Sequence, residues 1–254
     1  AKNVLHIGKY FPPHVGGMEA YLHDLMHALA ALKIKPCALV HQSKISLTSV
    51  EESFSENDPT LLVVRAATWC RLLFTPISPG FPWLLHRLIR RDKPDILHLH
   101  LPNPSAFWAL ALPSARCLPW VIHWHSDVLT ERSHWLLRLA YRIYSPLESA
   151  LLEKAEKVVV SSPPYLATSQ PLAKIRDKCS VIPLGIDDRF GDQAHNVAAV
   201  DSSSTGKTGA ATGEDLNVLA IGRMTHYKGF DILLRAIAQT EGITLDLVGH
   251  GELT

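Results

Sequence analysis

The stretch Asp95-Ile96-Leu97-His98-Leu99-His100 is the part of the sequence that indicates the fold most directly. It has the length and apolar content of a buried strand, and the stretch from Trp120 to His125 has the same character. The apolar segment between them, Ser105 to Ala115, is predicted to form a helix. A strand, a helix and a strand in this order are typical of a βαβ unit and therefore of a parallel sheet.

The same alternation continues toward both ends of the chain. Before residue 190, further strands are predicted for Asn3–Ile7, Pro36–His41, Leu61–Arg65, Lys157–Ser161 and Cys179–Ile182. Helices are predicted for Met18–Leu32, Phe81–Arg91 and Glu131–Lys154, the last with a bend at Pro146. The predicted fold class is therefore α/β, with a Rossmann-like parallel sheet in the N-terminal domain.

The balance of charges argues against one class of partner. The chain has 254 residues, with 25 Lys and Arg against 24 Asp and Glu and a formal net charge of +1. Nucleic-acid binding depends largely on excess positive charge, so no nucleic-acid partner is expected. Hydrophobic residues make up 47% of the chain, which is enough for a globular core.

Cysteine spacing and the absence of long apolar runs predict a cytoplasmic location. None of the four cysteines forms a CxxC pair, which favours reduced thiols over a metal site or disulfides. No apolar run reaches the roughly 18 residues of a membrane-spanning helix. A strand that begins at Asn3 leaves no room for a signal peptide.

The composition changes between residues 191 and 215, where small polar residues predominate. This segment is predicted to be a flexible linker or a loop insertion. It is followed by one predicted βαβ unit, made of Leu216–Ile221, Gly229–Thr240 and Ile243–Val248. Because one such unit cannot bury both faces of its sheet, 216–254 is interpreted as part of a second domain and 1–190 as a complete first domain.

Two glycines, Gly16 and Gly17, lie between the first predicted strand and the first helix. Adjacent glycines let a backbone approach a ligand closely, and the start of a helix favours an anion such as phosphate. A plain tight turn is the alternative interpretation.

A second glycine-containing loop, 222–229, carries Arg223 and Lys228 between a strand and a helix. Cations in such a loop can clamp a diphosphate and neutralise a leaving group. Solvated surface charge is the alternative interpretation. A third glycine-rich strand exit follows at Val248 to Gly251.

Four histidines form two pairs at the ends of predicted strands: His98 with His100, and His123 with His125. Residues two apart point to the same face of a strand, and ligands of open α/β sheets bind beyond the carboxyl ends. One interpretation is that the histidines are buried and form hydrogen bonds with backbone groups; it would apply to His98 and His123. The second interpretation is a metal site. Few carboxylates have suitable spacing for one, so no metal site is predicted. A catalytic or substrate-orienting histidine is the third, with His125 favoured because Asp127 follows it closely.

Arg132, Arg138 and Arg142 share a predicted helix with several large apolar residues. A basic amphipathic helix can lie on an anionic membrane surface. A core-facing helix with a solvated polar side is the alternative, and it is the more common case.

The order of these motifs resembles that of the retaining glycosyltransferases of family 4, over nearly the whole chain. The motifs that carry the resemblance are Pro-Pro-x-x-Gly-Gly-x-Glu at 12–19, Asp-Ile-Leu-His-Leu-His at 95–100, His-Ser-Asp at 125–127, Val-Ile-Pro-Leu-Gly-Ile-Asp at 181–187, Gly-Arg-x-x-x-Tyr-Lys-Gly at 222–229 and Val-Gly-x-Gly at 248–251. The resemblance implies the GT-B fold, in which two Rossmann-like domains enclose the active site.

The resemblance also implies a reaction and roles for residues. A sugar would move from a nucleotide diphosphate sugar to an acceptor hydroxyl with retention, His125 lying near the sugar and Arg223 and Lys228 holding the diphosphate. These cations would stabilise the leaving group, so neither a metal nor another cofactor is obligatory. Substrate or phosphate contacts are implied for Gly16, Gly17, Asp127, Gly222, Gly249 and Gly251.

A glycan or lipid-linked acceptor, as in polysaccharide or lipopolysaccharide synthesis, would give the arginine helix a use at the inner face of the membrane. Family members carry two glutamates, separated by seven residues, further along the second domain. Glu148 and Glu156 have that spacing but lie before the linker, so they are interpreted as a coincidence. The true pair is expected beyond Thr254, and the chain alone is expected to be weakly active or inactive. A GT-B nucleotide-sugar epimerase and an inactive glycan- or membrane-binding module are the alternatives.

Overall fold

The computed structural model describes residues 2–54, 61–72, 75–128, 135–185 and 216–251. The chain divides into two compact units, Ala1–Gly185 and Ile186–Thr254. The predicted linker at 191–215 and the residue Arg132 lie outside the described residues. The predicted division into domains stays a prediction.

The first unit alternates strands and helices. Its strands are β1 (Asn3–Ile7), β2 (Lys35–His41), β3 (Val50–Ser53), β4 (Leu62–Ala66), β5 (Cys70–Leu72), β6 (Thr75–Ile77), β7 (Ile96–Leu101), β8 (Trp120–Trp124), β9 (Lys157–Val160) and β10 (Cys179–Val181). Its helices are α1 (Gly17–Ala31), α2 (Phe81–Asp92), α3 (Trp108–Ala111), α4 (Pro113–Arg116), α5 (Trp135–Lys154) and α6 (Pro163–Thr168). Short 3-10 turns span Pro104–Phe107 and Arg176–Lys178.

Eight of these strands form one sheet in the order β10-β9-β8-β7-β1-β2-β4-β3. All neighbouring strands are parallel except β3, which runs antiparallel to β4. The chain leaves β1 toward β2 on one side and later returns to β7 on the other. The carboxyl ends of β1 and β7 therefore form the topological switch point at which open α/β sheets bind ligands.

The two faces of this sheet differ in chemistry. Leu5, Leu97 and Trp120 point to one face, where they join a large apolar core with residues of α2 and α5. On the other face, Leu22 and Met26 of α1 join a smaller apolar cluster with residues of β2 and β4. The centre of that second face, on β1, β7 and β8, carries histidines instead of aliphatic side chains.

The prediction of an α/β fold with a parallel sheet is confirmed. The single helix predicted from Ser105 to Ala115 is wrong, because a 3-10 turn and two four-residue helices fill this segment. Leu112 interrupts it with an extended backbone, which is the conformation favoured by a residue that precedes a proline. The strand β3 was not predicted, because its four residues are all exposed and leave no apolar alternation to detect.

The second unit has one βαβ arrangement, formed by β11 (Leu216–Ile221), α7 (Phe230–Ile237) and β12 (Ile243–Val248). The two strands pair in parallel along their whole length. Gly229, the N-cap residue of α7, lies in the left-handed region with a φ of 71°, which a glycine adopts without a steric penalty. Several large apolar side chains of this unit are exposed: Leu216, Leu219, Ile221, Ile232, Leu234 and Val248.

Candidate active site

Five histidines lie together on the α1 face of the large sheet. We call this group the histidine ladder: His6, His98, His100, His123 and His125. Strand register explains the grouping, because His6 is paired with His98 and His100 with His123. Neighbouring ring centroids are 4.5–6.0 Å apart. The sequence-based prediction that members of each pair share a face is confirmed.

Two nitrogen–nitrogen hydrogen bonds run through the ladder. His6 Nδ1 lies 3.2 Å from His100 Nε2, and His100 Nδ1 lies 3.1 Å from His125 Nε2. In the described part of the chain, the buried Nε2 atoms of His6, His98 and His123 have no hydrogen-bond partner. The interpretation that backbone groups satisfy His98 and His123 is therefore wrong for these nitrogens.

Burial keeps the ladder neutral near pH 7. Burial, together with a smaller effect of the neighbouring His123, lowers the pKa of His125 to about 3. The pKa of His6 is lowered to about 3 and that of His123 to about 4, in both cases chiefly by burial. At neutral pH, His125 therefore offers one hydrogen-bond donor and one acceptor and carries no charge.

Tyr21 of α1 covers the end of the ladder. Its ring centroid lies 4.4 Å from that of His123 and 5.4 Å from that of His125. Sequence reasoning missed this residue, as it missed His6, because a single polar or aromatic residue in an apolar segment gives no local signal. Only the packing of α1 over β8 brings Tyr21 to the ladder.

The glycine loop before α1 already holds an acidic side chain. Gly16 is the N-cap residue, α1 begins at Gly17, and Glu19 lies in its first turn. A Cβ atom added to Gly16 would overlap the carboxylate of Glu19, whereas one added to Gly17 would meet nothing within 4 Å. A carboxylate at this position complements the helix dipole. A phosphate bound to Gly16 and Gly17 would have to share this helix terminus with Glu19.

Asp127 is held by three side chains of its own unit. Its Oδ1 accepts hydrogen bonds from Trp124 Nε1 at 2.8 Å, Tyr165 Oη at 2.7 Å and Ser169 Oγ at 2.8 Å. Its backbone N–H donates to Tyr165 Oη at 2.6 Å. The residue thus ties the end of β8 to α6 and to the residue that follows α6. The substrate contact predicted for Asp127 stays a prediction, beside this structural role.

Glu148 of α5 is buried, with only 2% of its surface exposed. Its Oε2 accepts a hydrogen bond from Tyr141 at 3.1 Å. The pKa of Glu148 is raised to about 7. Burial is the main cause and the negative charge of Asp127 a smaller one, while the Tyr141 hydrogen bond acts in the opposite direction. Sequence reasoning assigned this glutamate no role, because its helical position alone did not reveal its burial.

In the second unit, the loop after β11 places Arg223 and Lys228 in exposed positions. Gly222 N donates to Val248 O at 3.0 Å, and Met224 N donates to His250 O at 3.2 Å. These hydrogen bonds join the exits of β11 and β12.

Close backbone contact also explains two glycines at these exits. A Cβ atom added to Gly249 would overlap the carbonyl oxygen of Gly222, and one added to Gly251 would overlap that of Met224. Both positions therefore need glycine for local packing. The substrate or phosphate contacts predicted for them stay predictions.

Comparisons with known proteins agree on a family. The model of Glycosyltransferase Family 4 matches residues 15–190. The chain is 30% identical to the O-antigen chain mannosyltransferase C of Escherichia coli, over 98% of this chain and 61% of that protein. It is 29% identical to the D-rhamnosyltransferase WbpZ of Pseudomonas aeruginosa, over 98% of this chain and 60% of that protein. The chain thus spans about three fifths of the length of these curated relatives.

Solved structures of low sequence identity share the fold. Sucrose-phosphate synthase from Thermosynechococcus elongatus superposes with a TM-score of 0.67 at 20% identity, over 98% of this chain and 62% of that one. Anabaena Alr3699/HepE, solved in complex with UDP and glucose, gives a TM-score of 0.59 at 17% identity, over 99% and 62% of the two chains. Both likenesses support a GT-B-type architecture. From the family match and the sheet described above, we conclude that this chain belongs to glycosyltransferase family 4.

Proposed function

We propose that the chain supplies the acceptor-side domain and part of the nucleotide-sugar domain of a retaining glycosyltransferase. The observation that carries the proposal is the polar carboxyl edge of the sheet beside the β1–β7 switch point, in a chain of this family. Ordinary parallel sheets bury aliphatic side chains on both faces, so a ladder of histidines at this edge indicates a site that serves a polar ligand.

In this proposal, His125 hydrogen-bonds the transferred sugar as a neutral side chain. Arg223 and Lys228 neutralise the charge that develops on the diphosphate leaving group, which is a task that cations perform without a metal. Backbone contacts to the donor or acceptor are proposed for the glycines of the three loops, and a further contact for Asp127.

The names of the curated relatives narrow the proposed donor. One is called a mannosyltransferase and the other a D-rhamnosyltransferase. D-Rhamnose is the 6-deoxy form of D-mannose, so the two sugars share the manno configuration. We therefore favour a manno-configured nucleotide diphosphate sugar as donor and a growing O-antigen-type glycan as acceptor.

Removal of the proposed diphosphate clamp should weaken nucleotide binding. Isothermal titration of the 254-residue chain with UDP and with GDP should show at least one of them binding. Arg223→Ala should weaken that binding by about 10- to 100-fold, as expected for the loss of a charge-assisted contact.

Arg235→Ala is the matched control, because Arg235 is an exposed arginine of the same unit whose ion pair is with Asp231. It should change the affinity by less than about twofold. If neither nucleotide binds the wild-type chain, or if the two variants bind equally well, the proposed role of Arg223 is wrong.

A membrane contact is proposed for the surface of α5. Among the described residues, no helix is both long and apolar enough to cross a bilayer. However, α5 exposes a stripe of large apolar side chains: Trp135, Leu136, Leu139, Ile143 and Leu147. Arg138 and Arg142 are exposed on the same helix. An exposed apolar stripe that includes a tryptophan and lies beside arginines is typical of interfacial helices.

Reversal of the two arginine charges should release the chain from anionic vesicles. Each basic side chain near such a surface contributes about 1 kcal/mol, so Arg138→Glu with Arg142→Glu should lower the partition coefficient at least tenfold. The measurement is sedimentation with phosphatidylglycerol-containing vesicles, compared with pure phosphatidylcholine. The control carries the same charge change at two exposed arginines elsewhere, Arg90→Glu with Arg116→Glu. Equal loss in both double variants would mean that net charge, and not the α5 surface, controls binding.

A further inference from the structure

His6, His100 and His125 form what we call the hydrogen-bonded line. The tautomers of these three histidines depend on one another. A neutral imidazole has one N–H and one acceptor nitrogen, and each nitrogen–nitrogen contact needs one hydrogen. His100 uses both nitrogens, one toward His6 and one toward His125. If the hydrogen of His100 is on Nδ1, then His6 and His125 must also be Nδ1–H tautomers. If it is on Nε2, all three must be Nε2–H tautomers.

The far end of the line distinguishes the two arrangements. His6 Nε2 is buried and has no hydrogen-bond partner among the described residues. In the Nε2–H arrangement this atom would be an orphaned buried donor, which is rarer in proteins than an unpaired acceptor. The Nδ1–H arrangement leaves only a lone pair there. It also gives His125 an Nδ1–H group, on a side chain that is only partly buried.

We propose that His6 and His100 are positioning residues that hold His125 as a neutral Nδ1–H tautomer, so that it donates a hydrogen bond to a substrate oxygen and transfers no proton. This inference rests on the proposed function, in which His125 contacts the transferred sugar. A donor whose orientation is already fixed by the fold needs no reorganisation when a sugar hydroxyl binds to it.

The surroundings of the ladder support a neutral line. Among the described residues, the rings in contact with His125 are those of His100, His123 and Tyr21. Within the described ranges, no ion pair joins a ladder histidine to an acidic side chain. Burial and the other histidines keep the pKa of His100 well below its usual range.

A metal ion is the competing occupant. His6, His98 and His100 each offer a nitrogen, and these atoms lie within 4.8 Å of one another. Ligation through His100 would break one of its two hydrogen bonds, because both of its nitrogens are engaged. The group also contains no carboxylate to balance a buried divalent charge. The geometry therefore fits the hydrogen-bonded line better.

Nitrogen-15 NMR of histidine-labelled chain tests the proposal without any substrate. Long-range couplings identify which ring nitrogen carries the hydrogen, and the wild-type chain should show His125 as a neutral Nδ1–H tautomer from pH 6 to 8. His100→Phe should lower the ratio of the Nδ1–H to the Nε2–H tautomer of His125 by about tenfold, because one hydrogen bond is responsible for the preference. His6→Phe should shift the same ratio by less.

His98→Phe is the matched control, because His98 stacks on His100 at 4.6 Å but lies outside the hydrogen-bonded line. It should leave the tautomer of His125 unchanged. An Nε2–H or charged His125 in the wild-type chain would overturn the proposal, as would equal effects of His98→Phe and His100→Phe or stoichiometric zinc in the purified chain. If nucleotide titration fails while the tautomer is as expected, the proposed function and the substrate contact that rests on it are wrong, whereas the positioning of His125 by His6 and His100 stands.

Discussion

Asp127→Ala is expected to lower the free energy of unfolding of the first unit by about 3–5 kcal/mol, because it leaves three donors without their shared acceptor. A hydrogen bond to a charged group contributes about 1.5–3 kcal/mol, and the three contributions do not simply add. Urea unfolding followed by tryptophan fluorescence measures the change. All six tryptophans lie between residues 69 and 135, so the signal reports on this unit alone.

Two further variants show whether the hydrogen bonds are responsible. Asp127→Asn keeps an acceptor oxygen without the charge and should cost about half as much as the alanine variant. Asp24→Ala removes a carboxylate whose side chain is 63% exposed, and it should change the stability by less than about 0.5 kcal/mol. A loss below about 1 kcal/mol for Asp127→Ala would mean that the three contacts contribute little, and would favour the predicted substrate role.

The outcome for Asp127 bears on how activity data should be interpreted. If the alanine variant is strongly destabilised, then its lost activity cannot be assigned to a substrate contact. The same reasoning applies to Gly249 and Gly251, where any side chain would collide with backbone atoms. The family resemblance implies binding roles for these residues, but their local structural roles are enough to explain why each residue type is needed.

The sequence allowed the sheet and the end of the sheet that carries the histidines to be predicted, because both follow from local patterns. Apolar runs of strand length mark β7 and β8, and a spacing of two places each histidine pair on one face. The ladder itself could not be predicted, because it depends on which strands are neighbours and in what register. His6 joins it only because β1 pairs with β7, about 90 residues away in the chain.

The same limit applies to the polar contacts. The partners of Asp127 on and after α6 are 38 and 42 residues further along the chain. No local pattern announces such contacts. Glu148 is a related case. Its spacing from Glu156 is visible in the sequence, but its burial, which determines its pKa, could not be predicted from helical periodicity.

Glu148→Gln is expected to reverse its effect on stability between pH 5 and pH 8. The folded pKa of Glu148 is about 7 against 4.5 for an unperturbed glutamate, so the folded unit favours the protonated form. The contribution of that form is fully present below pH 4.5 and is lost as the pH rises to 7 and beyond. The loss amounts to about 3 kcal/mol, and glutamine, which has no charge to bury, does not suffer it.

The variant should therefore be slightly less stable than the wild-type chain at pH 5 and more stable at pH 8. The measurement is the difference in free energy of unfolding between the two chains at several pH values, so that titrations common to both, including those of the histidine ladder, cancel. Glu153→Gln changes an exposed glutamate of the same helix and is the matched control, which should change the free energy of unfolding by less than about 0.5 kcal/mol. If the free energies of unfolding of the wild-type chain and of Glu148→Gln differ by the same amount at every pH, then the carboxyl of Glu148 is already ionised at pH 5. Burial would then not control its protonation, and Tyr141 together with solvent would have to stabilise the charge.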